Sequence, residues 1–203
     1  MIRRPPRSTL SSSSAASDVY KRQALREIFN IKEVRVWGHK DSYVKEFIRD
    51  MKPLKIKFIS ADNIRDCVEC SDIIVTTTPS RKPLVTMKML KKGAHINAIG
   101  ADAEGKEELE PAILKNAKVV IDSWPQASHS GEINVPLSKG VISKKDIYAD
   151  IGEIVSGRKK GRVSGDEITV FDSTGLAIQD AAIASLIYET AVKKKIGQRI
   201  KII

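Results

Sequence analysis

Apolar runs of four or five residues, rich in β-branched side chains, recur along the chain at 34–37, 56–59, 73–76, 95–99, 118–122 and 168–172. They are bounded by turn residues, and their apolar character is close to continuous. That is how strands covered on both faces of a parallel sheet read. The stretches between them carry helical signals. Helices are expected over 24–30, over 43–51 with Ser42 as cap, and over a short segment capped by Asp62. Others are expected near 87–91 ending at Gly93, over 112–116 opened by Pro111, over 147–156 stopped by Gly157, and over 176–193. Strand alternating with helix is the pattern of an α/β fold, a doubly wound and mainly parallel sheet with helices on its faces. The last helix is rich in Ala and Ile on nearly all sides until Glu189, so burial is expected for it. Residues 199–203 read as a short strand without a partner in this domain.

The loops after two of these strands carry the candidate chemistry. One holds Thr76, Thr77, Thr78, Pro79 and Ser80; the other runs Gly100-Ala101-Asp102-Ala103-Glu104-Gly105-Lys106 after Ile99. Ligands of open α/β sheets bind outside the carboxyl ends of the strands. Thr76, Thr77, Thr78 and Ser80 are therefore candidates to face a nucleotide, although β-propensity alone also favours threonine at strand ends. Gly100 and Ala101 are small enough to let a flat ring approach. Lys106 can meet a phosphate or ribose, or simply be a solvated lysine. Asp102 can act as an acid/base group, and burial beside a ring would raise its pKa toward neutrality. Spacing equally allows it to cap a helix expected from Glu107. His95 and Asn97 share a strand face, where a satisfied structural role is expected of the histidine. His129 stays unassigned.

Composition narrows the function classes. The net charge is +10, but residues 1–23 contribute five of the cations and one acid. The remaining basic clusters are scattered and aromatics make up 5% of the chain. Solvated surface explains these runs, and no nucleic-acid partner is expected. No apolar stretch reaches the roughly 20 residues of a membrane span. Cys67 and Cys70 form a lone Cys-x-x-Cys without the further ligands zinc requires, so no metal site is expected and a cytoplasmic setting with reduced thiols fits. Residues 1–23 include the run Ser11–Ser14 and lack the apolar core of a secretory signal. They resemble translated adapter sequence and are read as a non-native or disordered leader.

Several segments together resemble the ornithine cyclodeaminase/mu-crystallin family, closest to its alanine dehydrogenase branch. They are His95-Ile-Asn-Ala-Ile-Gly-Ala-Asp102-Ala-Glu-Gly-Lys106, residues 76–80, Gly131-Glu132-Ile133-Asn134, Ile151-Gly152-Glu153, and residues 171–180. The resemblance runs from about Ala24 to Ile203. It implies a Rossmann domain over 24–187 binding NAD or NADP, and a segment 188–203 returning to a substrate and dimerisation domain. The implied substrate is a small amino acid or keto acid, and the implied assembly a homodimer. Asp102 becomes the catalytic candidate; Ile99, Gly100 and Ala101 address the nicotinamide; and the turn Asp172-Ser173-Thr174-Gly175 lies near the cleft, which brings in Ser173. No Gly-x-Gly-x-x-Gly is present and the first strand of such a fold is missing, so the chain reads as the truncated C-terminal part of a longer enzyme with little activity alone. The activity expected of the whole is alanine dehydrogenase. Ornithine cyclodeaminase and a mu-crystallin-like NADPH-binding protein without turnover are the rivals. The strand at 34–37 is followed by Gly38, His39 and Lys40 with no acid before Asp41. His39 and Lys40 suit a 2′-phosphate, which favours NADP alone or beside NAD.

Overall fold

The computed structural model describes residues 25, 28–198 and 200. The leader expected over 1–23, part of the helix expected over 24–30 and nearly all of the strand expected over 199–203 lie outside the described residues.

In chain order the elements are β1 (Glu33–Val36), α1 (Asp41–Met51), β2 (Lys57–Ser60), α2 (Ile64–Val68), β3 (Ile73–Thr76) and β4 (Arg81–Val85). Then come β5 (His95–Ala98), β6 (Glu107–Leu109), α3 (Pro111–Asn116), β7 (Lys118–Ile121), α4 (Trp124–Ser130) and α5 (Asn134–Ser138). The last are β8 (Ile147–Asp150), α6 (Ile151–Val155), β9 (Thr169–Asp172) and α7 (Ala177–Lys194). Five strands form one parallel sheet in the order β3-β5-β9-β7-β8. β1 and β2 pair in parallel as a separate ribbon, and so do β4 and β6. The α/β, mainly parallel architecture expected from the pattern is present.

The core collects on the five-stranded sheet. Ile96, Val119, Ile121 and Val170 from its strands pack with Leu109, Ile113, Leu114 and Ile133, all fully buried. No residue of β1, α1 or β2 joins that cluster. The β1–β2 ribbon is held from the side by α2, where the Arg35 guanidinium donates to the carbonyls of Asp66 and Glu69, both at 3.1 Å. A cavity of about 1250 Å³ separates β1 from β3, lined by Val34 and Val36 on one wall and Ile73, Val75 and Thr76 on the other. In a doubly wound order of 3-2-1-4 the first strand stands at this place.

Several local expectations are corrected. Residues 147–150 are strand, paired with β7; the helix starts only where Asp150 and Glu153 close a capping box. No helix starts at Glu107. Residues 107–109 form β6 against β4, and neither strand is legible as apolar alternation because each carries charged residues. The helix after Asp62 is capped by Asn63, whose side chain accepts the Asp66 N–H at 2.9 Å. Helix α1 begins at Asp41 without a side-chain cap, so Ser42 lies inside it. Residues 87–89 make a single 3-10 turn, and the polar stretch from Trp124 folds into α4 and α5. Helix α7 contains no buried residue. Ile183, Leu186 and Ile187 are 56%, 60% and 62% exposed. Its composition asks for burial, and none of the described residues covers it.

Candidate active site

The register of the parallel strands fixes where the loops emerge. Thr76 lies opposite Ala98, Ala98 opposite Asp172, and Asp172 opposite Ile121. The segments following β3, β5, β9 and β7 therefore leave the sheet along one edge. Those segments contain Thr77 and Thr78, Ile99 to Asp102, Ser173, and Asp122.

Thr76 is buried, Thr77 and Thr78 are half-buried, and all three line the cavity beside β1. Thr78 donates its N–H and its hydroxyl to one carboxylate oxygen of Glu108, at 2.7 and 2.6 Å. The Gly100 N–H donates to the other oxygen at 3.1 Å. Gly100 has to be glycine, since a Cβ there would stand 2.3 Å from both the Glu108 carboxylate and the Thr78 carbonyl. Ile99 is half-buried and Ala101 buried within the same loop. Asp102 is exposed and pairs with the Lys106 ammonium of its own loop, so the burial expected to raise its proton affinity is not realised. With no helix at Glu107, the capping role for Asp102 is removed as well. Asn134 shapes this loop from α5, accepting the Gly105 N–H at 3.0 Å and donating to the Lys106 carbonyl at 2.9 Å.

Other candidates are spread more widely. Ser80 directs its hydroxyl to the Lys82 carbonyl at 2.7 Å, a contact within its own loop. His39 and Lys40 are exposed beyond the end of β1, with the Lys40 ammonium 5.3 Å from the Tyr43 ring centre. Asp122 organises the turn after β9. It accepts the N–H groups of Thr174 and Gly175 at 2.7 and 2.9 Å and the Ser173 hydroxyl at 3.3 Å. His95 has the structural role expected of it, with its ring 2.7 Å from the Thr169 hydroxyl and 3.3 Å from Asn97. Burial lowers its pKa. Among the described residues no cluster of His, Cys, Asp and Glu has the makings of a metal site.

Three buried carboxylates were not singled out from the residue pattern. Behind Glu108, Glu132 accepts the Glu108 and Leu109 N–H groups at 2.8 and 2.6 Å. Asp172 in turn accepts the N–H groups of Glu132 and Ile133 at 2.9 and 3.2 Å. Burial raises the pKa of Glu108, partly offset by the hydrogen bonds from Thr78, and burial raises Glu132 well above the ordinary carboxylate range. Asp172 is pushed up to about 7, again by burial. The second Glu132 oxygen has no partner among the described residues, which suits a carboxyl that keeps its proton. Nothing in their spacing signals burial. Glu132 and Asp172 stood out only within segments that carried a family resemblance.

The model of the ornithine cyclodeaminase/mu-crystallin family matches residues 16–195. The chain belongs to that family. Its match begins inside the segment 1–23 that composition set apart. The chain is 48% identical to an alanine dehydrogenase of Archaeoglobus fulgidus over 182 residues, 90% of this chain and 56% of the relative. An archaeal alanine dehydrogenase dimer with bound NAD superposes with a TM-score of 0.85 at 47% identity, covering 92% of this chain and 57% of that one. The Δ1-pyrroline-2-carboxylate reductase of Thermococcus litoralis, in complex with NADH and L-proline, gives 0.83 at 35% identity, with 89% and 56% covered. The chain thus spans about half the length of the family members it matches.

Proposed function

We propose that the chain forms the dinucleotide-binding part of an NAD(P)-dependent oxidoreductase acting on small α-amino or imino acids, and that the whole enzyme interconverts L-alanine with pyruvate and ammonia. The observation that carries this reading is the shared strand edge, where parallel register gathers the Thr76 to Thr78 loop, the Gly100 to Asp102 loop and the Ser173 turn. These groups fit the nicotinamide end of a dinucleotide. Loops braced by Glu108 and Asp122 flank a run of small residues, and Asp102 lies open at its tip. His39 and Lys40, exposed after β1, would offer a donor and a positive charge to a 2′-phosphate. The family relatives that hold NAD or NADH support the cofactor class.

When bound, the dinucleotide supplies the hydride acceptor. The balanced reaction consumes L-alanine, NAD(P)⁺ and water, and yields pyruvate, ammonium, NAD(P)H and a proton. With the dinucleotide bound, Asp102 would take one proton from the amine and release it to solvent, then take a proton from the water that adds to the imine and pass it to the departing ammonia. Lys106 holds the Asp102 carboxylate in its loop. The relative that binds L-proline makes a cyclic imino acid the rival substrate.

The test is an assay of the complete gene product for NADH or NADPH formation with alanine, and for consumption with pyruvate plus ammonia or with pyrroline-2-carboxylate. Alanine-dependent turnover is expected, with NADP accepted alone or beside NAD. Asp102→Asn should lower turnover by about 10²-fold or more while cofactor affinity is retained. Near-normal turnover in that variant would remove Asp102 from the chemistry.

A further inference from the structure

Glu108 occupies an unusual position. It lies on a three-residue strand outside the main sheet, is fully buried, and meets the loops of two different main-sheet strands with its two oxygens. One oxygen takes both donors of Thr78; the other takes the Gly100 N–H. These are the two loops that flank the nicotinamide in the reading above. We propose that Glu108 is a positioning residue, a buried carboxylate strut that sets the spacing between the Thr78 loop and the Gly100 loop and so holds the nucleotide shelf in its binding shape. The inference rests on the proposed nucleotide site for its function, and on the hydrogen bonds alone for its geometry.

The chemistry of the contact requires a carboxylate. At least three donors converge on it, and a carboxylate is acceptor-only with lone pairs on both oxygens. A glutamine has one acceptor oxygen, so its NH₂ would oppose either the Thr78 donors or the Gly100 N–H. A protonated Glu108 has the same defect. Hydrogen bonds to an ionised group are also about twice as strong as neutral ones, which suits a tie that must resist loop motion. Gly100 completes the fit, because no side chain can stand between the two loops.

The surroundings isolate this group. The acidic neighbour on its inner side is Glu132, which takes the Glu108 N–H and has Asp172 behind it. On the β4 and α5 side the cations Arg81 and Lys139 are engaged elsewhere, with the Glu104 carbonyl and the Glu107 carboxylate. Lys106 pairs with Asp102. No cation bonds to Glu108 among the described residues, so donors from the two loops hold its charge.

Two measurements test the proposal. In the ¹⁵N-labelled 203-residue chain, the amide resonances of Thr78 and Gly100 should titrate together with one apparent pKa above that of an ordinary glutamate. In Glu108→Gln that shared titration should vanish. Glu108→Asp, which keeps the charge but shortens the reach, should retain titration at one loop and lose it at the other. Amides that do not titrate in the unaltered chain, or that titrate unchanged in Glu108→Gln, overturn the strut. In the complete gene product, fluorescence titration with NADH should weaken roughly tenfold or more in Glu108→Gln. The unaltered protein should lose affinity as pH falls through the shared amide pKa, and the variant should not. Equal NADH affinity and pH profile in both proteins overturn the positioning role while leaving the cofactor reading intact. Coupled titration of the two loops without NADH binding by the unaltered protein would instead sink the cofactor reading.

Discussion

At Asp172 and Glu132 the cost of burying carboxylates is offset by main-chain donors and not by cations. Each accepts two N–H groups, yet burial still dominates and both pKa values rise. For Asp172 the sign of the linkage follows directly. Its folded value of about 7 lies above the ordinary 3.8, so between those limits the folded state binds the proton and the unfolded state does not. Stability therefore falls as pH rises through this window, by at most about 1.4 kcal/mol per pH unit from this group. Glu132 and Glu108 act in the same direction. Glu33, Asp146 and Glu153 are shifted down, but they are surface groups whose contribution is small and is lost only at more acid pH. His95 opposes the buried acids, since burial lowers its pKa from 6.5 and its contribution rises with pH near that value. With three buried acids against one histidine, denaturant unfolding should still show greater stability at pH 5.5 than at pH 7.5. Asp172→Asn should flatten that slope and lower stability by about 1–3 kcal/mol, since an amide cannot accept both N–H groups through its two terminal atoms. Equal slopes in the two proteins would remove Asp172 as the titrating group. None of this was legible in the residue pattern, because a glutamate or aspartate reads as polar whether water or peptide N–H groups surround it. Asp102, by contrast, stood out as a candidate from the residue pattern alone, because a lone acid among small residues after an apolar run needs no tertiary information to be noticed.

At the scale of elements, Gly131 shows how closely these parts fit. It ends α4 with an ordinary negative φ, so the constraint is space and not backbone freedom. A Cβ there would lie 2.6 Å from one Asp172 oxygen and 2.8 Å from the Ala127 Cα. Gly131→Ala should cost about 1–3 kcal/mol by overpacking, and each kcal/mol lowers Tm by about 2–4 °C in a chain of this size. Gly152, inside α6 with nothing within 4 Å of its Cβ position, provides the control: Gly152→Ala should leave Tm unchanged or raise it slightly. Thermal unfolding of the two variants separates them, and a harmless Gly131→Ala would contradict the packing. Four strands of the main sheet, β3, β5, β7 and β9, were readable because apolar β-branched runs have no other stable place to go. Strands β4 and β6 were not, since their pairing is decided by neighbours distant in sequence. Residues 147–150 were misread as helix for the same reason, with Asp150 and Glu153 the overlooked start signal.

At the scale of the whole molecule, the alternation of strands and helices led to the expectation of a mainly parallel sheet, and the five-stranded sheet bears it out. The five-stranded sheet carries the core, while β1, α1 and β2 pack outside it across the cavity beside β3. Their link to the rest runs through α2 and the Arg35 hydrogen bonds to Asp66 and Glu69. A unit with few buried apolar partners opens at lower free energy than the core it adjoins. Native-state hydrogen exchange should therefore show the β1–β2 ladder losing protection first, at Val34, Val36, Ile59 and Ala61, before the paired amides of Ile96, Ala98 and Val170. Arg35→Ala should widen the difference by weakening the α2 attachment while leaving protection of the five-stranded sheet unchanged. If the two ladders exchanged at the same free energy in both proteins, the ribbon would have to be cooperative with the core. The position of His39 and Lys40 relative to the Thr78 loop would then be set by the fold itself. If the ribbon opens first, as expected, those two residues reach a cofactor phosphate only when β1 is held in place. Cofactor affinity in the complete protein should then depend on whatever fills the gap between β1 and β3.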